Sequence, residues 1–263
     1  YMQKFWKEDV DKKVHKIMKN IENLRKVLKV SFFLIIVAVG FIFAFPKELK
    51  PHEWKLYLVD SYLVTTVGLT IGGALIGIFF GMFLAFLKFQ KTKFPTFDMA
   101  KEIIIDEYID IMRGTPMILQ LLILSVLIKV FDNYWIAMIA LGLNSAAYVA
   151  EVVRSGIESI DKGQMEAARA TGMPYKMAMN EIIMPQAVKN ILPALVNEFI
   201  TLFKETSVVG YISVVDITMN SNGLQASYYS VGPILFTGII YYVSVKVFSF
   251  LGRMLEVRLR RND

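Results

Sequence analysis

Apolar residues in this chain fall into long runs, broken by short polar stretches. Runs of roughly 20 such residues match the hydrocarbon thickness of a bilayer. In lipid, every backbone polar group needs a partner within its own segment. No run alternates as a barrel strand would, so the spans are predicted to be helices. The first covers 27–45 and stops at Pro46, and the second covers 57–87. A third helix begins polar at Asp106, Glu107, Asp110 and Arg113 and turns apolar from Met117 to Val130. The fourth covers 134–157, the fifth runs from near Pro185 to Phe203, and the sixth covers 231–252. Between the last two, 204–230 is rich in Ser, Asn, Gly and Tyr, which predicts an outer surface with a partly re-entrant segment. The fold class read from this pattern is an all-α polytopic membrane protein with about six transmembrane helices.

Two stretches depart from plain apolarity. In 1–29, Val10, Val14, Ile17, Ile21, Leu24 and Leu28 recur every three or four residues and draw one apolar stripe among Lys12, Lys13, Lys16, Lys19, Arg25 and Lys26. That pattern predicts an amphipathic helix on the inner membrane surface; a short coiled coil is the alternative. In the second span, Gly68, Gly72, Gly73, Gly77 and Gly81 leave one face almost bare, which lets another helix approach closely.

Charge sets the orientation. The N-terminal segment, 88–101 (Lys88, Lys91, Lys93, Lys101), 158–185 and the tail (Arg253, Arg258, Arg260, Arg261) are basic, and basic loops stay cytoplasmic. Six spans then put both termini inside. Only 46–56, with Lys47, Lys50 and Lys55, resists. Composition agrees: 55% of residues are hydrophobic and the mean hydropathy is +0.49. The net charge of +6 is accounted for by these flanks, so no nucleic-acid partner is inferred. No signal peptide is evident, because the first apolar run follows a long charged segment without a small-residue cleavage site. There is no cysteine, hence no disulfide or thiolate site. No Gly-x4-Gly-Lys-Ser/Thr loop and no His-Glu-x-x-His occurs, and His15 and His52 stand alone, which argues against ATP binding of that kind and against metal hydrolysis. Trp135, Tyr228, Tyr229, Tyr241 and Tyr242 read as interfacial anchors and packing.

The chemistry-bearing motif is Glu166-Ala167-Ala168-Arg169-Ala170-Thr171-Gly172, followed by Ile182-Ile183-Met184-Pro185. It is a structured, charged loop between two spans, a place to dock a soluble partner. Gly163 and Gly172 are expected to turn the chain, and Glu166, Ala167 and Ala168 to start a short helix whose dipole suits a glutamate. Arg169 supplies a planar fork for carboxylates or carbonyls. This spacing resembles the coupling loop of permease subunits of bacterial ABC importers, with Met184 where Leu is usual. Tyr108 to Pro116, Ala147 to Ile157, Gly163 to Arg169, and Leu192 to Ser207 resemble the polar amino acid branch of that family, of the histidine, arginine, glutamine and cystine type. The similarity covers about 57–261; Asp110 stands where Glu is more usual, and 1–29 and 30–56 are extra to the common five-helix form.

The resemblance implies a type I importer permease moving polar amino acids by alternating access. It implies no cofactor and no catalysis in this chain, with ATP bound by two partner ATPase subunits seated on loop 158–185. It also implies a second permease copy, identical or paralogous, and an extracytoplasmic amino-acid-binding protein. Gly163, Glu166, Ala167, Ala168, Arg169, Gly172 and Pro185 would couple to the ATPases. Intramembrane polar groups tend to face cavities or partners. On that ground Asn144, Tyr148, Glu151, Asn197, Thr201 and Lys204 are the candidate substrate pathway, with Glu151, Asn197 and Thr201 lining one cavity. Structural pairing is the alternative: these groups with one another across helices, Glu151 with Arg154 or another helix, and Arg113 locally with Asp110. A permease for another small solute and, less favoured, an ion channel are the rival functions; no selectivity ring or filter is apparent.

Overall fold

The first apolar run continues the charged N-terminal segment without a break. In the computed structural model, which describes residues 2–90 and 92–260, helix α1 is Met2–Ala44. Its 43 residues make a rod of roughly 65 Å at about 1.5 Å each, about twice what a bilayer core needs. A segment lying flat on the membrane would need a sharp turn near residue 29, and the helix has none. Side chains are described for 18–90 and 92–259, so Val10, Val14, Ile17, Lys12, Lys13, Lys16, Lys91, Arg260 and Arg261 lie outside them.

α2 (Pro51–Lys55), a π-helical stretch (Leu56–Val67) and α3 (Gly68–Phe89) form the second span. The third predicted helix is two. α4 (Pro95–Gly114) and α5 (Met117–Leu127) meet at a bend of 110°. Pro116 explains the break: its ring disfavours helix in the residue before it, and Thr115 is extended at φ −113°, ψ 144°. α6 (Asn133–Glu158) is started by Asp132, whose carboxylate accepts from Tyr134 N at 2.9 Å. The loop 158–185 holds α7 (Lys162–Ala170) and α8 (Tyr175–Ala178). A π-helical turn (Met179–Ile183) then leads directly into α9 (Met184–Glu205). A 3₁₀ stretch (Thr206–Ile212) and α10 (Ile217–Tyr228) lie between α9 and α11 (Gly232–Arg260).

By length and composition, four helices among the described residues can cross a membrane alone, and the bent α4–α5 pair makes up to five. The fifth predicted span, α9, is present as a helix, but Lys189, Glu198, Lys204 and Glu205 make it too polar to count by itself.

The bare glycine face packs on α6, and this is the most extensive helix pair of the fold. A Cβ on Gly77 would sit 2.7 Å from the Ser145 Cβ, and one on Gly81 would sit 2.7 Å from the Ala146 carbonyl oxygen. α3 therefore lies against the α6 backbone, as small residues at membrane helix interfaces permit. Leu69, Leu121, Leu141, Leu202 and Val209 close a core among α3, α5, α6 and α9. A second cluster joins Ala44, Leu49, Tyr57, Ile217 and Phe236, with Trp54 stacked on Phe45 at 5.3 Å. These contacts put the ends near 45–57 and 217–236 at one end of the bundle. Asn133 donates to Ile212 O at 2.7 Å and brings the start of α6 there too.

Candidate functional site

The loop 158–185, the candidate coupling loop, is built by its caps. Asp161 opens α7, its carboxylate accepting from Gly163 N at 2.7 Å. Gly163 is therefore inside the first turn of the helix and makes no turn of its own, contrary to expectation. Glu166 sits in the middle of α7, not at its start, so the acid that meets the helix dipole is Asp161. At the other end the prediction for Gly172 holds, with φ at +87°. Gly172 N donates to Arg169 O at 3.0 Å and Met173 N to Ala168 O at 3.2 Å, the paired bonds of a Schellman cap. Arg169 donates to the Met173 carbonyl at 2.9 Å, so its fork binds its own loop. Ala168 is buried, while Glu166, Ala167, Arg169, Tyr175 and Met177 are exposed. Pro185 has no N–H to give, and the π-helical turn Met179–Ile183 lies immediately before its helix. A cleft of about 450 Å³ separates the α6 end (Ile157, Glu158) from Met165 and Ile183.

The substrate-pathway candidates divide into two groups. Asn144, Tyr148 and Glu151 share the α6 face that meets α4. Asn144 is 3% exposed and donates to Met112 O at 3.1 Å and to Gln120 Oε1 at 2.9 Å. Gln120 also donates to the Met112 and Thr115 carbonyls, so this pair holds the α4–α5 break. Glu151 is not free: Arg154 grips it through Nε at 2.8 Å and Nη2 at 2.6 Å. Arg154 also reaches Glu158 at 2.6 Å. Arg113 touches Glu151 only at 3.7 Å and lies 5.7 Å above the Tyr148 ring, with 40% of its side chain exposed. The expected local pairing of Arg113 with Asp110 is replaced by this contact across helices.

The α9 candidates point elsewhere. Asn197 faces α11 in a groove of about 340 Å³ with Arg253 and Glu256. Thr201, one turn on, donates back to Asn197 O at 3.1 Å. Lys204 lines another groove of about 360 Å³ with Ser207, Tyr241 and Tyr242. Among the described residues, Glu151 and Asn197, expected to line one cavity with Thr201, face different neighbours, because on α9 the face turned to α6 is one residue round from Asn197.

That face carries Glu198, which accepts from Ser145 Oγ at 3.0 Å. Ser145 and Tyr148 are one turn apart on α6, so the Glu198 contact and the Arg113–Tyr148 contact lie on neighbouring turns of one helix. A carboxylate and a half-exposed guanidinium on neighbouring turns can receive an ammonium and a carboxylate respectively. Glu198 is the residue sequence reasoning passed over. Its signal was available: it is an ionisable group mid-way along an otherwise apolar stretch. Among the described residues no His, Cys, Asp and Glu group is arranged to hold a metal.

Comparison with known proteins fits this geometry. Residues 77–261 match the family described as binding-protein-dependent transport system inner membrane component. Over 207 residues the chain is 41% identical to the arginine transport system permease protein ArtQ of Bacillus subtilis (strain 168), covering 76% of this chain and 92% of that protein. It is 35% identical over 210 residues to the putative glutamine transport system permease protein GlnP of Rickettsia bellii (strain RML369-C), covering 78% and 93% respectively. Among solved structures, one described as an amino acid ABC transporter with histidines superposes with a TM-score of 0.71 at 35% identity, over 78% of this chain and 95% of that one. A MetNI methionine ABC transporter chain shares the fold, with a TM-score of 0.66 at 19% identity. The chain is a multi-pass, non-catalytic permease of the ABC transporter class and belongs to the family of inner membrane components of binding-protein-dependent transport systems.

Proposed function

We propose that this chain is the translocation subunit of an ATP-driven importer of polar amino acids in the bacterial cytoplasmic membrane, with both termini cytoplasmic. Two copies, or one copy and a paralogue, enclose the path. Two ATPase subunits bind ATP and seat on α7. An extracytoplasmic binding protein delivers the amino acid. Residues 57–261 form the transporter core; 1–29 is a cytoplasmic basic segment, and 30–56 adds a span and an outer loop.

The observation that carries this reading is α7 itself: a short helix capped at both ends, with Glu166, Ala167 and Arg169 exposed, and Tyr175 and Met177 exposed just beyond it. Large exposed apolar groups on a charged, ordered loop mark a protein interface. Closure of the ATPases pushes two such loops together, and the spans then rock between outward- and inward-open states as rigid bodies. The names of the relatives, arginine and glutamine permeases, support an amino acid as the cargo. In the membrane, Arg113 receives the α-carboxylate, because its contact to Glu151 is long and leaves N–H groups free. Glu198, which accepts from Ser145, receives the α-ammonium.

The test is uptake of a panel of labelled amino acids into proteoliposomes holding the complete complex, with ATP hydrolysis followed in parallel. Polar amino acids supplied with the binding protein should raise ATP hydrolysis and accumulate inside. Stimulation by a different small solute, with no amino acid transported, would move the chain to another branch of the superfamily.

A further inference from the structure

From Leu56 to Leu87 the chain has one charged residue, Asp60. It lies in the π-helical stretch Leu56–Val67, where residues five apart share a face. The side chains reflect that widening: Thr65 Oγ1 donates to Asp60 O at 3.0 Å and Thr66 Oγ1 to Ser61 O at 2.8 Å, each five residues back. Asp60 and Thr65 thereby line the same groove, whose other wall is α10. The two walls are tied where Asn220 donates to Ser61 Oγ at 2.7 Å. The groove holds about 550 Å³, within the range of small-molecule sites.

Among the described residues, the Asp60 carboxylate has no ion-pair or side-chain hydrogen-bond partner, and no cation lines the groove with it. The rest of the lining is apolar or neutral, with Leu56, Met219 and Leu224 among it. One unpaired carboxylate at the end of an apolar wall has a complementary shape: a methylene stem ending in a cation. An α-carbon zwitterion is a poor match, because its own carboxylate would meet Asp60 with no cation present to receive it.

We infer that the groove between residues 56–65 and α10 binds the cationic side chain of a basic amino acid, by its guanidinium or ammonium, at the mouth of the path. Asp60 is then a specificity-determining residue, separate from the polar cluster at Tyr148. The part about transport rests on the proposed import of amino acids; the binding of the cation does not.

The experiment uses the complete complex in nanodiscs and proteoliposomes, as wild type, Asp60→Asn and Asp60→Glu. The first arm titrates butylguanidinium, a stem and cation without an α-carbon, into the nanodisc complex. Binding is expected for wild type and Asp60→Glu and a loss of about tenfold or more for Asp60→Asn, equivalent to about 1.4 kcal/mol. The second arm compares L-arginine and L-glutamine uptake. In Asp60→Asn the KM for L-arginine should rise about tenfold with kcat kept, while L-glutamine uptake changes less than about twofold. Equal butylguanidinium binding by all three proteins overturns the inference, whatever the cargo. Equal loss for both amino acids, with a raised half-saturating concentration of binding protein, also overturns it and makes Asp60 a docking residue for that protein. A wild-type complex that binds butylguanidinium but imports no amino acid leaves the cation site standing and removes the import reading instead.

Discussion

Gly172 holds a backbone conformation that side chains rarely adopt, and open space surrounds it. Its replacement by Val is therefore a question of strain alone, of the order of 1–3 kcal/mol, concentrated in the cap that ends α7. Gly172→Val is expected to insert and assemble but to lose substrate-stimulated ATP hydrolysis; wild-type stimulation in the reconstituted complex would sink the role of α7. Gly163→Ala is the contrasting case. Its Cβ would lie 3.0 Å from Asp161 Oδ1 and crowd the cap, but Ala gains about 1 kcal/mol of helix propensity over Gly, so coupling should be nearly unchanged. The two glycines look alike in the sequence, because a glycine announces permission and not use; only the cap bonds tell them apart. Carboxylates divide in the same way. Glu151 is held by Arg154, so Glu151→Gln should lower the melting temperature and weaken uptake of every substrate together. Glu198 has one hydroxyl donor, and Glu198→Gln should cost uptake about tenfold to a hundredfold, the worth of a charge-assisted bond, with the melting temperature kept. A fall in melting temperature for Glu198→Gln with unaltered KM would assign it to structure. Glu151 stood out because of its motif, whereas choosing Glu198 over Asn197 required knowing which α9 face meets α6, a matter of about 100° of helix rotation that apolar periodicity does not fix in a helix surrounded by lipid and protein.

At the scale of elements, the packing of α3 on α6 was legible because glycine spacing of four residues has one geometric meaning in a membrane. Gly77→Val tests it. The new side chain would begin 2.7 Å from Ser145, which must move, and Ser145 is the donor to Glu198. Overpacking of this kind costs about 1–3 kcal/mol, and the displacement passes straight to the site. Reduced thermal stability of the detergent-solubilised protein and reduced uptake are expected together; a stable variant with normal uptake would mean that α3 and α6 can separate without consequence. The bend between α4 and α5 was only half legible. Gly114-Thr115-Pro116 is visible punctuation, but the polar-to-apolar change across it reads equally well as one helix entering the membrane. What fixes the bend is distant in sequence, the carbonyl of Met112 held by Asn144 and Gln120. The π-helical stretches were not legible at all: a five-residue repeat over twelve residues leaves no clear apolar period, and their mark is the hydroxyl bonding of Thr65 and Thr66, which depends on the backbone.

For the whole molecule, the question is which segments share a side of the membrane, and contacts decide it more firmly than charge. Lys47, Lys50 and Lys55 pull 46–56 toward the cytoplasm by the positive-inside tendency. Three ties oppose them. Tyr228 donates to Glu53 at 2.6 Å, Asn220 donates to Ser61 at 2.7 Å, and Tyr57 donates to Pro233 O at 2.8 Å. They hold 51–61 beside 220–233, a segment with no Lys or Arg between Lys204 and Lys246. The other end of the bundle carries Lys88, joined to Asp106, and Lys101, joined to Asp98 at 3.1 Å, with the coupling loop beyond the α6 end. Each basic group contributes only about 1 kcal/mol at a charged membrane surface, so the larger basic set at the opposite end is expected to outweigh the three lysines of 46–56 under the proposed orientation. The chain has no cysteine of its own, so single cysteines can be read without background. In intact cells, Glu48→Cys and Ser227→Cys are expected to react together with an impermeant thiol reagent, and Lys93→Cys and Asn180→Cys to react only after permeabilisation. Labelling of Glu48→Cys and Asn180→Cys from the same side would contradict the antiparallel arrangement itself. Labelling of the second pair alone from outside would keep the fold and invert it, which would put α7 beyond the reach of any cytoplasmic ATPase.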